Sequence, residues 1–255
     1  MQTLKGRTCV FAGATNGDGR DTAKALCAAG MNVILMTHAP EYAQSLYEEI
    51  KAAGYPGDCA ISSVIVGENN PDKDKNVYDE IEKKYGSIDV VICNTGGNGT
   101  ADSIDTVSQE DLMKSINHLC GGSYKSLKTA LPYLRRSKCP RVIFMTTIEG
   151  CSGGTYESFA NAVAKGAVRS LTLNCARRLA SEGIPVNCVS KGAIPRIEPQ
   201  QPDAAHPELM LPEIPMGRLG TPVDLANVIC FLASEECSYI TGQIIELSGG
   251  MNLGR

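Results

Sequence analysis

Apolar positions fall into seven short, β-branched runs, and amphipathic stretches with helical spacing separate most of them. The runs are TCVFAG (8–13), NVILMT (32–37), AISSVIV (60–66), IDVVICN (88–94), RVIFMTT (141–147), PVNCVS (185–190) and QIIELSG (243–249). The helical patterns cover 19–29, 41–53, 73–85, 109–134, 158–182 and 222–234. Strands that are apolar almost throughout need cover on both faces, and a helix after each strand implies right-handed crossovers. The pattern predicts an α/β, doubly wound, seven-stranded parallel sheet with helices on both faces, in one domain spanning 1–255. One segment departs from the alternation: 195–217 carries five further prolines after Pro195. Proline breaks long helices, so this segment is expected to be a mobile flap over the carboxyl edge of the sheet, with Leu209, Met210, Leu211 and Met216 as an apolar contact.

Composition narrows the functional classes. A chain of 255 residues, 43% hydrophobic and 20% charged, can bury a sizeable core. The formal charge of −4 gives no basic field for nucleic acid, and the pairs Lys83/Lys84, Arg135/Arg136 and Arg177/Arg178 are short enough to be solvated helix faces. No apolar run approaches the roughly 20 residues that span a bilayer, and the first residues lead straight into a strand, so a cytoplasmic protein without a membrane partner is expected. Eleven cysteines are scattered without a CxxC pair, and several (Cys9, Cys93, Cys188) sit in strands as small hydrophobes. His38, His118 and His206 lack metal-ligand spacing, so no metal site is expected.

The chemistry concentrates at turns. After the first strand comes GATNGDG, with Gly13, Gly17 and Gly19 flanking Asn16 and Asp18 at a strand-to-helix junction. Glycines there let a backbone approach a pyrophosphate while the helix start supplies N–H groups and positive partial charge. Alone, such a turn is weak evidence for a nucleotide.

Further motifs follow in order. CNTGG at 93–97 contains Asn94 and Gly96; Asn117 lies in MKSINHL; Lys165 lies in FANAVAKGAV; Gly192 and Ile194 lie in VNCVSKGAI; a long tail covers 214–250. Over residues 4–250 the chain resembles the short-chain dehydrogenase/reductase family, whose TGxxxGxG, NAGG, YxxxK and VNAVxPGxI motifs these match in part. The resemblance implies a Rossmann-like fold, an NAD or NADP cofactor and hydride transfer. It places a cofactor on Gly13, Asn16, Gly17, Asp18, Gly19, Thr37, His38, Asn94, Gly96, Lys165, Gly192, Ile194 and Arg196. In that family a serine binds the substrate oxygen, a tyrosine moves the proton, a lysine holds the ribose and lowers the tyrosine pKa, and an asparagine anchors a water. Those positions fall here on Thr147, Asn161, Lys165 and Asn117.

The departures follow a chemical logic. Asn161 replaces the tyrosine, and an amide neither releases nor accepts a proton near neutral pH. The nearest phenol that could substitute is Tyr156, nine residues from Lys165 and off its helical face. Asp18 puts a carboxylate where the family has an apolar residue beside the nicotinamide and diphosphate, which is costly unless a cation intervenes. Arg196 stands where the family's threonine binds the carboxamide, and the expectation is an Asp18–Arg196 ion pair filling the nicotinamide site. Thr37 and His38 write no preference for NAD over NADP. Lys165 has either the ribose or a carboxylate such as Asp18 or Glu149 as partner, and Asn94 and Asn117 either bind ligands or stitch backbone segments together. Three readings stand open: a non-catalytic subunit paired with an active homologue through the helices over 109–134 and 158–182; an active NAD(P)-dependent ketoreductase or alcohol dehydrogenase, homotetrameric or otherwise, with another proton donor; and a small-molecule-binding protein.

Overall fold

The computed structural model describes residues 4–15, 17–37, 40–62, 71–96, 103–153, 159–195 and 207–253. Seven strands form one parallel sheet in the order β3-β2-β1-β4-β5-β6-β7: β1 Thr8–Ala12, β2 Asn32–Met36, β3 Cys59–Ser62, β4 Val90–Cys93, β5 Arg141–Thr147, β6 Val186–Lys191 and β7 Ile244–Leu247. The chain winds outward from β1 to β3, crosses back beside β1 as β4, and winds outward again. The order therefore reverses between β1 and β4, and ligands of such sheets bind in the crevice outside the carboxyl ends at that reversal.

The helices are α1 Asp18–Ala28, α2 Pro40–Ala52, α3 Pro71–Tyr85, α4 Gln109–Ile116, α5 Gly122–Leu134, α6 Glu149–Ser152, α7 Phe159–Leu179 and α8 Pro222–Ala233. Strand alternation sorts them into two apolar layers. Cys9 and Phe11 of β1 and Val90 and Ile92 of β4 meet Leu26 of α1, Leu46 of α2 and Ile229 of α8 on one face. Val10, Val91 and Cys93 face the other way, toward Tyr78 of α3, Leu127 of α5 and Val168 of α7. The sheet is thus buried on both sides, as its near-continuous apolar strands require. The strand cysteines belong to these layers, and burial pushes the thiols of Cys93 and Cys188 up to about 12.

Three details differ from the sequence reading. The single helix expected over 109–134 is interrupted by a π-helical turn at Asn117–Gly121. Two adjacent glycines, Gly121 and Gly122, weaken the regular α pattern there, and Ser123 Oγ donates to Leu119 O at 2.9 Å across the widened turn. The pattern over 158–182 ends as an α-helix at Leu179 and closes with a 3₁₀ turn, Ala180–Glu182. The described part of the proline-rich segment has structure of its own: Pro207–Glu213 is a 3₁₀ helix, and Met210 and Ile214 are buried against Ile148 and Ala193. The apolar contact expected there is made by Met210, while Leu211 and Met216 are exposed. Residues 196–206 lie outside the described set, as do positions 63–66 of the third strand-like run.

Among the described residues no helix is long and apolar enough to cross a membrane, and no group of three or more His, Cys, Asp or Glu side chains could hold a metal ion.

Candidate active site

The glycine turn is built from its contacts with the end of β4. Gly13 has φ +78°, and a Cβ on it would lie 1.9 Å from the Asn94 carbonyl oxygen. A Cβ on Gly19 would lie 2.5 Å from Gly13 O and 3.1 Å from Asn94 Nδ2. Asn94 closes the junction: its backbone N–H donates to Ala12 O at 2.9 Å, and its side-chain amide donates to Gly13 O at 3.2 Å and to Asp18 Oδ1 at 3.3 Å. Gly13, Gly19 and Asn94 therefore hold β1, β4 and α1 together at the mouth of the crevice. Gly17, with φ 53°, is the N-cap of α1 and has no side chain to cap the first amides.

The hydroxyl of Thr37 lies 3.0 Å from that of Thr15, and both residues are buried. Thr37 thus supports the turn from β2; Thr15, which the motif reading passed over, is its partner. Gly192 and Ile194 also serve packing. A Cβ on Gly192 would come within 2.8 Å of Ser248 Cα, and Ile194 seats against Gly220. Beyond Gly96, by contrast, a Cβ would meet nothing within 4 Å.

Across the crevice stand β5 and α7. Thr146 and Thr147 end β5 with different tasks. Thr146 Oγ donates to the Lys165 carbonyl at 3.0 Å and anchors α7, whereas Thr147 Oγ is buried without a hydrogen-bond partner among the described residues. A buried hydroxyl left unsatisfied at a strand's carboxyl end is suited to a ligand oxygen. Asn161 and Lys165, one helical turn apart on α7, are both 5% exposed. Lys165 Nζ reaches over to donate to Thr95 O, 3.3 Å away on the loop after β4. Gly150 lets α6 pack closely on the backbone of α7, because a Cβ there would sit 2.7 Å from the Lys165 carbonyl carbon. Asn117 opens the π-helical turn and is exposed.

One partner was not anticipated. Asp18, the first residue of α1, accepts a hydrogen bond and ion pair from Lys191 Nζ at the end of β6, and both side chains are largely buried. Lys191 is paired in sheet register with Thr147. The expected Asp18–Arg196 pair cannot be placed, because Arg196 lies outside the described residues, as do Asn16, His38 and Tyr156. The cation described beside Asp18 is Lys191, and the bond described for Lys165 is to a carbonyl. The signal available in the sequence was that Lys191 stands at the proline of the VNAVxPGxI pattern, so that two usually apolar positions carry opposite charges.

Comparisons with known proteins bear on the family and the fold. Residues 13–252 match the family model described as Enoyl-(Acyl carrier protein) reductase. The chain is 32% identical over 250 residues to the 3-oxoacyl-[acyl-carrier-protein] reductase FabG of Thermotoga maritima, covering 97% of this chain and 98% of the relative. It is 34% identical over 253 residues to the protein of the same name from Staphylococcus aureus, covering 96% and 98%. The chain belongs to the short-chain dehydrogenase/reductase family. A crystal structure of a short-chain type dehydrogenase/reductase from Mycobacterium marinum superposes with a TM-score of 0.86 at 26% identity, covering 98% of this chain and 97% of that one.

Set against that family, the described residues that would meet its dinucleotide are the glycine turn at the start of α1, Thr147 at the end of β5, and Lys165, whose Nζ reaches the loop after β4. Where the sequence motifs put the family's proton donor the chain has the buried Asn161, and at the start of α1 it has the Asp18–Lys191 pair. Burial holds Cys93 and Cys188 protonated far above neutral pH and raises Cys120 as well.

Proposed function

We propose that this short-chain dehydrogenase/reductase has lost the family's proton transfer and serves as the catalytically degenerate subunit of a heteromeric NAD(P)-dependent dehydrogenase, paired with an active homologue. The observation that carries this reading is the buried amide of Asn161, one turn before Lys165 on α7. A bound nicotinamide would supply hydride chemistry, and the chain's own residues would have to supply the proton. Thr147 can donate a hydrogen bond to a carbonyl oxygen and Lys165 can hold a ribose, but the group that lies between them in the family is an amide without a proton to exchange near neutral pH.

Pairing is supported by the surfaces of the long helices. Met113 on α4, Tyr124 on α5, and Val163 and Leu173 on α7 are large apolar side chains exposed to between 41% and 52%. The names of the relatives suggest a 3-oxoacyl thioester as the carbonyl substrate of the active partner.

A second reading, an active ketoreductase drawing its proton from Tyr156 or a relayed water, is favoured by Lys165 and by the hydroxyl that Thr147 keeps at the serine position. Co-expression with a homologue that carries the intact YxxxK motif separates the two. Co-purification in a defined stoichiometry, with turnover confined to the mixed oligomer, is the expected outcome. A stable homo-oligomer that ignores the homologue and turns over alone would overturn the proposal.

A further inference from the structure

Asp18 and Lys191 come from opposite sides of the ligand crevice. Asp18 opens α1 directly after the glycine turn that follows β1, and Lys191 is the last residue of β6. In sheet order the carboxyl ends of β4 and β5 lie between them. The ion pair therefore spans the edge over which a dinucleotide lies in a sheet of this topology. Its two ends are held. Asn94 donates to the second oxygen of Asp18 at 3.3 Å, and Lys191 is fixed through its backbone, which pairs with Thr147 and whose carbonyl accepts from Ile148 N at 2.9 Å. The side chains of Asp18 and Lys191 are only 12% and 16% exposed, so water screens the pair weakly.

The consequence for an anionic ligand is a competition. Asp18 occupies the helix start, where positive partial charge and backbone N–H groups would otherwise favour a diphosphate. Its carboxylate repels that ligand, and Lys191 offsets the repulsion only by being engaged itself. We propose that Asp18 and Lys191 form an exchangeable charge latch across the crevice, and that a nucleoside diphosphate cofactor enters by taking Lys191 from Asp18 onto its own phosphates. Lys191 is then a phosphate-binding residue of this chain and Asp18 its internal competitor, which sets affinity without touching the reacting atoms. This rests on the family reading of the crevice but not on the missing proton donor. Turnover by the wild-type chain would sink the proposed function and leave the latch standing, whereas the binding results below bear on the latch alone.

The test is a fluorescence titration with NADH, which reads binding without turnover, on the wild-type chain, Asp18→Asn, Lys191→Met and the double variant. Asp18→Asn keeps the hydrogen-bonding shape beside Asn94 while releasing Lys191, and should tighten NADH by about tenfold or more and steepen its dependence on salt. Lys191→Met removes the cation described beside the carboxylate and should weaken NADH by about tenfold, and the double variant should return to near the wild-type value. Thermal melts check that each variant is folded, and Asp18→Ser and Lys191→Gln replace any that is not. Unchanged or weaker binding by the Asp18 variant, no detectable binding by it at millimolar NADH, or tighter binding by the Lys191 variant would each overturn the latch.

Discussion

Asn161→Tyr is expected to raise the rate of carbonyl reduction, read as single-turnover oxidation of NADPH with a 3-oxoacyl thioester, by about 100-fold or more over the wild-type chain. The substitution puts a phenol one helical turn before Lys165, within the field of a cation that lowers its pKa from the ordinary value of about 10. Thr146 anchors the backbone of Lys165, and the Thr147 hydroxyl, buried without a partner among the described residues, would be available to a substrate oxygen beside the new phenol. The gain should appear in the rate constant at saturating nucleotide and not in nucleotide affinity, which the Asp18–Lys191 pair governs. Reduction consumes the protonated phenol, so the rate should be flat at low pH and fall as pH rises through the phenol's pKa. Asn161→Phe fills the same volume without a hydroxyl and should give no gain. A Phe variant as active as the Tyr variant would show that packing, not proton transfer, had been restored.

Gly13→Ala is expected to destabilise the protein by on the order of 3 kcal/mol or more in urea unfolding. Two costs combine at this position. At φ +78° any side chain is strained by about 1–2 kcal/mol, and the new Cβ would sit 1.9 Å from a backbone oxygen. That oxygen cannot simply retreat, because Asn94 is fixed to Ala12 through its N–H and to Gly13 and Asp18 through its side chain. Gly54 provides the comparison: its φ is +63°, and a Cβ there would meet nothing within 4 Å. Gly54→Ala should therefore cost only the backbone component, about 1–2 kcal/mol. Equal losses at the two glycines would mean that the turn is not packed against Asn94 as described.

The sheet was legible in the sequence because each strand is a short β-branched run buried on both faces, a pattern that needs no knowledge of its neighbours. Strand ends agree within a few residues, and α1, α2, α3 and α8 lie where their apolar spacing put them. What escaped was set by contacts distant in sequence or by geometry without periodicity. The π-helical turn at Asn117–Gly121 preserves apolar positions on both sides and so reads as continuous helix. Met210 and Ile214 pack against Ile148 and Ala193, contacts that local proline content does not reveal. In the candidate site, the spacing of Asn161 and Lys165 is written in five letters, NAVAK, and puts both on one face of α7, where both are buried. The Asp18–Lys191 pair joins residues 173 positions apart, and no local rule couples them. The glycines of the turn also acquire a different physical reason. Gly13 and Gly19 are required by the approach of Asn94 and the turn's own backbone, whatever ligand lies above them.

The central claim is that this chain keeps the fold of a dehydrogenase without its proton transfer. The most direct measurement is steady-state oxidation of NADH and NADPH by the purified wild-type chain alone, with a 3-oxoacyl thioester at nucleotide concentrations that saturate binding. The account predicts no turnover above the uncatalysed background. A kcat of about 1 s⁻¹ or more, the lower end of ordinary enzymes, would contradict it.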